Sequence, residues 1–298
     1  MVQFRFEQLG KHFVILASSV YYTKIRRRGP EFGMMGNMKR FEGKVVLVTG
    51  GNRNTGLDIV ERFVREGAKV FMCGSSAAST AKGAETLKAR GVEGVISQPC
   101  DISDPAQVSA LFDTIEREAG RLDVLVNNAA NQGIGHGGPL EMDPAKFHEV
   151  FNVNVIGGFQ VTQMACNRFF LKQENRGVVV FLSSNTARRA IRNRTAYCSA
   201  KGAINSLVRS LGLDLGPFGI RVNCCAPGYI YTERWDTLDP AKMARRRKNC
   251  PLGHEATGAD IAGVVAFLAS DDSANMTGEI ITCDAGCSCQ HMPSDCDC

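Results

Sequence analysis

The length, composition and charge of the chain exclude several classes of protein before any motif is considered. Its 298 residues can bury a sizeable core, and its apolar fraction of 44% and charged fraction of 22% are those of an ordinary globular protein. A net charge of +5 is too small to indicate binding to nucleic acid or to a membrane surface. The apolar run at 12–22 is shorter than the roughly 20 residues that cross a bilayer, and basic residues follow it, unlike a secretory signal.

The chain contains twelve cysteines, which is a high count for its length. Without a recognisable secretory signal, we expect a cytoplasmic protein whose thiols are reduced and mostly buried as small apolar groups. Five of them are grouped in the C-terminal part: Cys283, Cys287, Cys289, Cys296 and Cys298. These five lack paired C-x-x-C units, and only His291 lies near them, so we expect no metal site.

The order of helices and strands follows from apolar runs and capping signals. Residues 1–40 are basic and interrupted by glycine and proline, which indicates an N-terminal extension or an arm that packs on a partner subunit. Strands are predicted at 44–49, 70–73, 95–98, 124–127, 178–183, 220–225 and 280–283. Helices are predicted at 57–66, 77–90, 105–119, 144–170, 196–213 and 259–269, with a small helix within 229–249.

Strands and helices alternate throughout, and the strands are almost entirely apolar. A strand that is apolar on both faces is covered on both sides, as in a parallel sheet between two layers of helices. We therefore predict an α/β fold: one doubly wound, Rossmann-type domain at 41–286, with about seven parallel strands. A Cys-rich tail at 287–298 follows it.

A glycine-rich turn, T-G-G-N-R-N-T-G at 49–56, lies between the first strand and the first helix. In a doubly wound fold this turn binds the pyrophosphate of a dinucleotide on backbone N–H groups and a helix N-terminus. Gly50 and Gly56 allow a tight turn and a close approach of helix to strand. Asn54 stands where a middle glycine is usual, and asparagine tolerates positive φ. The turn predicts an NAD(P)(H) site.

The preference between the two cofactors depends on the end of the second strand. An acidic residue there would bind the ribose of NAD, but the sequence reads Gly74-Ser75-Ser76. Arg53 could meet the 2′-phosphate of NADP, so we favour NADP(H) and leave NAD(H) open. Asp101, after the third strand, could reach the adenine; a plain turn or cap aspartate is the alternative.

Tyr197 and Lys201 lie four residues apart and share one face if the segment is helical. An ammonium beside a phenol favours the phenolate, so we expect Lys201 to lower the pKa of Tyr197 from its reference of about 10. Ser184 ends an apolar strand and could donate a hydrogen bond to a carbonyl or alcohol oxygen. Together these residues could hold a substrate oxygen while hydride moves at the neighbouring carbon.

In combination, these segments resemble the short-chain dehydrogenase/reductase family over residues 40–286. Beside the glycine turn, Asn127-Asn128-Ala129-Ala130 is similar to the N-N-A-G motif of the family, with alanine in place of the last glycine. Ser184 lies 13 residues before Tyr197, as is usual there. Further matching segments are Asn154 in V-N-V, Arg221-Val222-Asn223, Pro227-Gly228, Ile230, Thr232, Thr277-Gly278 and Asp284-Ala285-Gly286.

The resemblance implies a role for each matching residue. Tyr197 would be the general acid and base, Ser184 would polarise the substrate oxygen, and Lys201 would bind the nicotinamide ribose. Asn154 would hold a water in a proton relay. The cofactor would contact Gly50, Asn52, Arg53, Asn54, Thr55, Gly56, Gly74, Ser75, Asp101, Ile102, Asn128, Ala129, Tyr197, Lys201, Pro227, Gly228, Ile230 and Thr232.

The substrate pocket is expected at the carboxyl ends of the strands, lined from 131–138, 186–194 and 229–249. Six side chains there offer apolar or aromatic surface, unless they simply pack the loop: Ile134, Ile191, Tyr229, Tyr231, Trp235 and Met243. Four arginines lie between Ser184 and Tyr197: Arg188, Arg189, Arg192 and Arg194. They could bind an anionic group, stay solvated, or pair with acids across a subunit interface.

The sequence thus predicts an NAD(P)-dependent oxidoreductase that interconverts a secondary alcohol and a ketone. A steroid-like hydrophobic substrate is the first interpretation, and a 3-oxoacyl thioester or a sugar-type ketone is the alternative. A non-catalytic, cofactor-sensing binding protein is the rival from another class. The resemblance implies a homodimer or homotetramer, which we expect to pair through Ala200, Ala203, Ile204, Leu207 and Leu211.

Overall fold

Seven parallel strands form one sheet in the computed structural model, which describes residues 39–134, 136–232 and 235–292. Residues 1–38 of the expected extension and 293–298 of the Cys-rich tail lie outside the described residues. The strands are β1 (Val45–Thr49), β2 (Lys69–Gly74), β3 (Ile96–Pro99), β4 (Val124–Asn127), β5 (Val178–Leu182), β6 (Arg221–Pro227) and β7 (Ile280–Cys283).

The strand order is β3-β2-β1-β4-β5-β6-β7, and each pairing is parallel. The order reverses between β1 and β4. In an open parallel sheet, ligands bind at this reversal, outside the carboxyl ends of the strands. The predicted doubly wound fold is confirmed, and the sheet places the ends of β1, β4 and β5 side by side.

Helices cover both faces of the sheet. Alternate residues of β1 point to opposite sides, with Leu47 in one apolar core and Val46 and Val48 in the other. The helices are α1 (Thr55–Arg65), α2 (Ala77–Ala89), α3 (Pro105–Ala119), α4 (Pro144–Phe151), α5 (Gly158–Ala165), α6 (Thr195–Leu215), α7 (Pro240–Lys248) and α8 (Gly258–Ala269). No helix among the described residues is long and apolar enough to cross a membrane.

The capping signals in the sequence mark the helix starts correctly. The Asp104 carboxylate accepts hydrogen bonds from the first turn of α3, and Asp143 does the same for α4. Proline follows each cap, at a position where its missing N–H costs nothing. Gly120 ends α3 in the left-handed conformation, with φ 67°.

The segment 144–170, predicted as one uniform helix, contains two π-helical stretches at Asn152–Gly157 and Cys166–Phe170. A π turn widens the helix locally and often lies at a functional site. The first stretch carries Asn154. A Cβ on Gly157 would lie 2.9 Å from Ile102 Cγ1, so glycine lets this stretch approach the loop after β3.

The face of α6 that we expected to pair with a second subunit is instead largely turned inward. Ala200, Ile204 and Leu211 are buried within this chain, Ala200 completely. Ile204 and Leu211 belong to the core cluster on one side of the sheet. Ala203 and Leu207 are half-buried. An apolar stripe on α6 is also what covers the sheet, so its buried part is explained within this chain, and pairing of subunits through α6 stays a prediction.

Candidate active site

The glycine-rich turn is attached to the end of β4 through Asn128. The Nδ2 of Asn128 donates to the carbonyl oxygens of Thr49 at 3.0 Å and Gly50 at 2.8 Å. The Thr49 hydroxyl accepts from the backbone N–H groups of Asn128 and Ala129, both at 3.1 Å. These bonds fix the turn at the point where the strand order reverses.

The turn leaves space that only glycine provides. Gly50 has φ 61°, and a Cβ there would lie 2.8 Å from Ala129 Cα. A Cβ on Gly56 would lie 2.1 Å from the Gly50 carbonyl oxygen. Asn54 has φ 48° and precedes α1, as its tolerance of positive φ suggested. The missing side chains at Gly50 and Gly56 thus let the turn pack closely against β4 and the start of α1, at the place where a doubly wound fold binds a pyrophosphate.

The predicted cofactor residues near Asn52 differ in their exposure to solvent. Asn52 is buried, and Cβ atoms on Gly74 or Gly83 would lie within 2.5 Å of its atoms. Arg53 and Ser75 are exposed at the rim. No carboxylate occurs at 74–76, so the rim at this point offers a guanidinium and hydroxyl groups.

The loop after β3 has its own internal hydrogen bonds. Asp101 Oδ1 accepts from the backbone N–H of Ser103 at 2.9 Å and from its hydroxyl at 2.7 Å. Asp101 thus forms the plain aspartate turn that we set beside the adenine interpretation. Ile102 is buried against the π-helical stretch.

Asn154 is buried and fixes the chain after β4. Its Oδ1 accepts from the backbone N–H of Asn131 at 2.6 Å, and its Nδ2 donates to the Asn131 carbonyl oxygen at 2.8 Å. The Asn154 side chain thus bonds to both the N–H and the carbonyl oxygen of Asn131, as the main chain of a neighbouring strand would. This pairing orients the loop that enters the substrate side of the site.

Lys201 joins α6 to the end of β5. Its buried ammonium donates to the Leu182 carbonyl oxygen at 2.8 Å, and the Ser183 hydroxyl donates to the Lys201 carbonyl oxygen at 3.1 Å. The ammonium lies 5.5 Å from the centre of the Tyr197 ring. Burial disfavours the charged form and lowers the pKa of Lys201 to about 8.

The pKa of Tyr197 shifts in the direction opposite to our expectation. Burial of the phenol raises it, because the phenolate would lose its hydration. The Ser184 hydroxyl and the charge of Arg194 act the other way and lower it. Lys201 does not lower it as we expected, because the ammonium bonds to the Leu182 carbonyl oxygen and faces the phenol ring.

A cavity of about 460 Å³ opens beside Ser184 and Tyr197. This volume is in the range of small-molecule sites. Its lining comes from the loops after β4, β5 and β6 and from the segment after β7: Gln132, Ser184, Asn185, Thr186, Arg189, Ala190, Ile191, Arg194, Tyr197, Gly228, Tyr229, Asn249, Cys287 and Gln290.

Of the six apolar side chains expected at the substrate pocket, Ile191 and Tyr229 line this cavity. Trp235 is buried and packs edge-on against Tyr229, with ring centres 6.1 Å apart. The Tyr231 hydroxyl donates to Asp236 Oδ1 at 2.5 Å. Trp235 and Tyr231 therefore stabilise the loop, while Ile134 and Met243 do not line the cavity.

The end of β6 and the residues that follow it lead into the cavity wall, which Gly228 and Tyr229 line. Pro227 is buried, and the Gly228 N–H donates to the Cys283 carbonyl oxygen at 3.0 Å. A Cβ on Gly228 would lie 2.4 Å from Asp284 Cβ, so glycine is required there. Ile230 forms a bridge with Ala256, and Thr232 lies just beyond it, half-buried.

Sequence reasoning missed the contribution of the chain after β7. Asn185 Nδ2 donates to Asp284 Oδ2 at 3.1 Å, and Cys287 and Gln290 complete the cavity wall. Cys287 Sγ lies 3.2 Å from Cys250 Sγ. Burial raises the pKa of the Cys250 thiol to about 12. No group of three or more metal-binding side chains occurs within 39–134, 136–232 and 235–292.

The buried Lys201 should make the stability of the protein depend on pH. Its pKa is about 8 in the folded state against 10.5 in the reference state, so between these values the unfolded chain binds more protons. The free energy of unfolding should therefore rise with pH across this window, by up to about 3 kcal/mol from this group. Urea unfolding of the wild type and Lys201→Met at pH 7.5–10, in steps of ~0.5 unit, measures the difference. Identical pH dependence of the two proteins would contradict the assignment.

Comparison with known proteins gives the family. A family model described as "Enoyl-(Acyl carrier protein) reductase" matches residues 51–288. The chain is 33% identical to 3-oxoacyl-[acyl-carrier-protein] reductase MabA of Mycobacterium avium, over 84% of this chain and 92% of the relative. It is 34% identical to a 3alpha-hydroxysteroid dehydrogenase of Mediterraneibacter gnavus (82% and 96%) and 34% identical to dehydrogenase/reductase SDR family member 4 of Caenorhabditis elegans (85% and 98%). The chain therefore belongs to the short-chain dehydrogenase/reductase family, and it is an NAD(P)-dependent oxidoreductase acting on CH–OH groups.

Proposed function

We propose that the protein interconverts a secondary alcohol and a ketone at the cavity beside β5. The observation that carries this proposal is the position of Ser184 and Tyr197 in the wall of one cavity, with Lys201 buried on the same helix as Tyr197. A hydroxyl and a phenol that face the same space can both contact one substrate oxygen.

Each of these side chains has a distinct role in the proposal. Tyr197 gives its proton to the substrate oxygen during reduction and takes it back during oxidation. Ser184 donates a hydrogen bond to the same oxygen and stabilises the charge that develops there. Burial raises the pKa of Tyr197, so the phenol keeps its proton until charge develops on the substrate oxygen. A bound nicotinamide cofactor supplies or accepts the hydride.

The cofactor residues of the proposal lie in the glycine-rich turn at 49–56, near the ends of the neighbouring strands, and after β6. Gly50, Asn54, Thr55 and Gly56 would surround the pyrophosphate, with Asn128 fixing the turn. Lys201 would contact the nicotinamide ribose. The remaining contacts are assigned to Asn52, Arg53, Gly74, Ser75, Asp101, Ile102, Ala129, Pro227, Gly228, Ile230 and Thr232.

Asn154 takes a positioning role in this proposal. Both polar atoms of its amide bond to the main chain of Asn131, so its first task is to hold the loop that leads to Gln132 at the cavity. The water relay that the family resemblance implies would use the second lone pair of Oδ1.

For the substrate, we propose a steroid-like or comparable apolar alcohol. Ile191, Ala190 and Tyr229 give the cavity an apolar side, and one relative is a 3alpha-hydroxysteroid dehydrogenase. A 3-oxoacyl thioester is the second candidate, supported by the similarity to MabA. A non-catalytic, cofactor-sensing protein would not need Ser184 and Tyr197 to share a cavity.

The role of Tyr197 predicts the effect of removing its hydroxyl group. Tyr197→Phe should lower kcat by about 10²–10⁴-fold, because the substrate oxygen loses its proton donor. Cofactor affinity, measured by fluorescence of the bound reduced cofactor, should change little. Tyr231→Phe is the matched control, since its hydroxyl bonds to Asp236 outside the cavity. Turnover that survives in Tyr197→Phe would rule out this mechanism.

The exposed Arg53 predicts a preference for NADPH over NADH. Arg53→Gln should weaken NADPH binding about tenfold, because a charge-assisted hydrogen bond to the 2′-phosphate is lost. NADH affinity should stay nearly constant. Titrations of both cofactors, with the remote Arg117→Gln as control, measure the effect. Equal losses for the two cofactors would show that Arg53 does not contact a 2′-phosphate.

We also propose a homodimer or homotetramer. The apolar Ile156 and Phe159 are 53% and 39% exposed on the stretch around Asn154, and a second subunit would cover them. Light scattering should give a mass of two or four times 32.3 kDa. A mass of one subunit at micromolar concentration would refute the assembly.

A further inference from the structure

Two arginines in the cavity wall have no substrate contact in the chemistry described so far, although the charge of Arg194 lowers the pKa of Tyr197. We propose that Arg189 and Arg194 bind an anionic group of the substrate, so that the protein acts on an alcohol or ketone with a carboxylate or phosphate at its far end. This inference rests on the proposed alcohol and ketone chemistry and adds the charge of the substrate to it.

The charge balance of the cavity is the first argument. Arg189 and Arg194 both line it, and none of the lining residues that the structure describes carries a carboxylate. Among the ion pairs of the described ranges, none includes either arginine. Two guanidinium groups facing one space repel each other, and a shared anion removes that repulsion.

The second argument is that both guanidinium groups are held in place. Arg189 Nη1 donates a hydrogen bond to the carbonyl oxygen of Cys287, and Arg194 Nη1 donates one to the carbonyl oxygen of Gln132 at 3.1 Å. A guanidinium has five N–H donors in a fixed plane, so each group keeps further donors after this bond. A positioned fork with spare donors matches the oxygens of a carboxylate or phosphate.

The third argument is an unpaired hydroxyl in the same wall. Thr186 Oγ1 is buried without a hydrogen-bond partner among the described residues, and Thr186 lines the cavity. A buried hydroxyl without a partner costs free energy, and an anion that accepts a hydrogen bond from it would remove this cost. Ile191 and Tyr229 leave room in the same cavity for the apolar body of the substrate.

The neighbouring Arg188 and Arg192 lie in the same loop but outside the cavity wall. Both are exposed, and neither lines the cavity. Arg189 is exposed as well and Arg194 is half-buried, so the two pairs differ in whether they line the cavity and not in exposure alone. Arg188 and Arg192 therefore provide control variants, because replacing either one removes the same single charge from the loop as replacing Arg189 or Arg194.

Binding can be measured directly, without turnover. Trp235 is the single tryptophan of the chain, and its ring packs against Tyr229 in the cavity wall. Its fluorescence should therefore report occupancy. The ligands are a series of aliphatic oxo-carboxylic acids of increasing chain length, each with its methyl ester and a phosphomonoester of similar length.

We expect an acid or phosphomonoester of suitable length to bind more tightly than its ester in the wild type. The ratio of anion affinity to ester affinity should fall about tenfold in Arg189→Gln, and by a similar factor in Arg194→Gln. Arg188→Gln and Arg192→Gln should keep the wild-type ratio. Arg189→Lys, which keeps the charge but not the fork, should recover part of the preference and show that loss of folding is not the cause.

Equal affinity for anion and ester across the series would overturn the proposal. A preference that persists unchanged in Arg189→Gln and Arg194→Gln would overturn it as well. The titration needs neither hydride transfer nor Tyr197. Failure of the alcohol and ketone chemistry would therefore appear as absent turnover with anion binding intact, which is distinguishable from failure of this inference.

Discussion

The buried ammonium of Lys201 sets the geometry on which the rest of the site depends. A charged group inside a protein must find hydrogen-bond acceptors, and this one takes the carbonyl oxygen of Leu182 at the end of β5. The Ser183 hydroxyl returns a bond to the Lys201 carbonyl oxygen. Together the two bonds fix α6 against the strand end, so Tyr197, one turn earlier, lies beside Ser184. The lowered pKa of Lys201 shows that this arrangement costs stability.

The two halves of the site are built by different physical means. At the glycine-rich turn, the absence of side chains at Gly50 and Gly56 allows close backbone packing, and Asn128 fixes the turn by hydrogen bonds to carbonyl oxygens. On the substrate side, the wall consists of side chains, and two of them are guanidinium groups. A site built from main-chain groups suits a ligand that a whole family shares, because every residue type carries the same main-chain groups. The second half can change with single substitutions, as loops on a rigid scaffold do.

The order of strands and helices, the caps at Asp104 and Asp143 and the conformation of Asn54 were all predictable, because they depend on neighbouring residues in the sequence. The π turn around Asn154 was not, since its hydrogen-bond shift has no compositional signal. The pKa of Tyr197 was predicted in the wrong direction, because burial outweighs a lysine whose ammonium bonds elsewhere. The contribution of Cys287 to the cavity depends on contacts across about a hundred residues, which spacing alone does not reveal.

The distance along the chain between contacting residues has a consequence for synthesis on the ribosome. The cofactor turn and its Asn128 anchor are complete once β4 has emerged. The substrate wall needs the bond from Asn185 to Asp284, whose residues are 99 positions apart, and the contact of Arg189 with Cys287. N-terminal segments fold first on a growing chain. A nascent protein can thus form its glycine-rich turn before β5 exists, whereas the wall of the cavity is complete only when β7 joins the sheet.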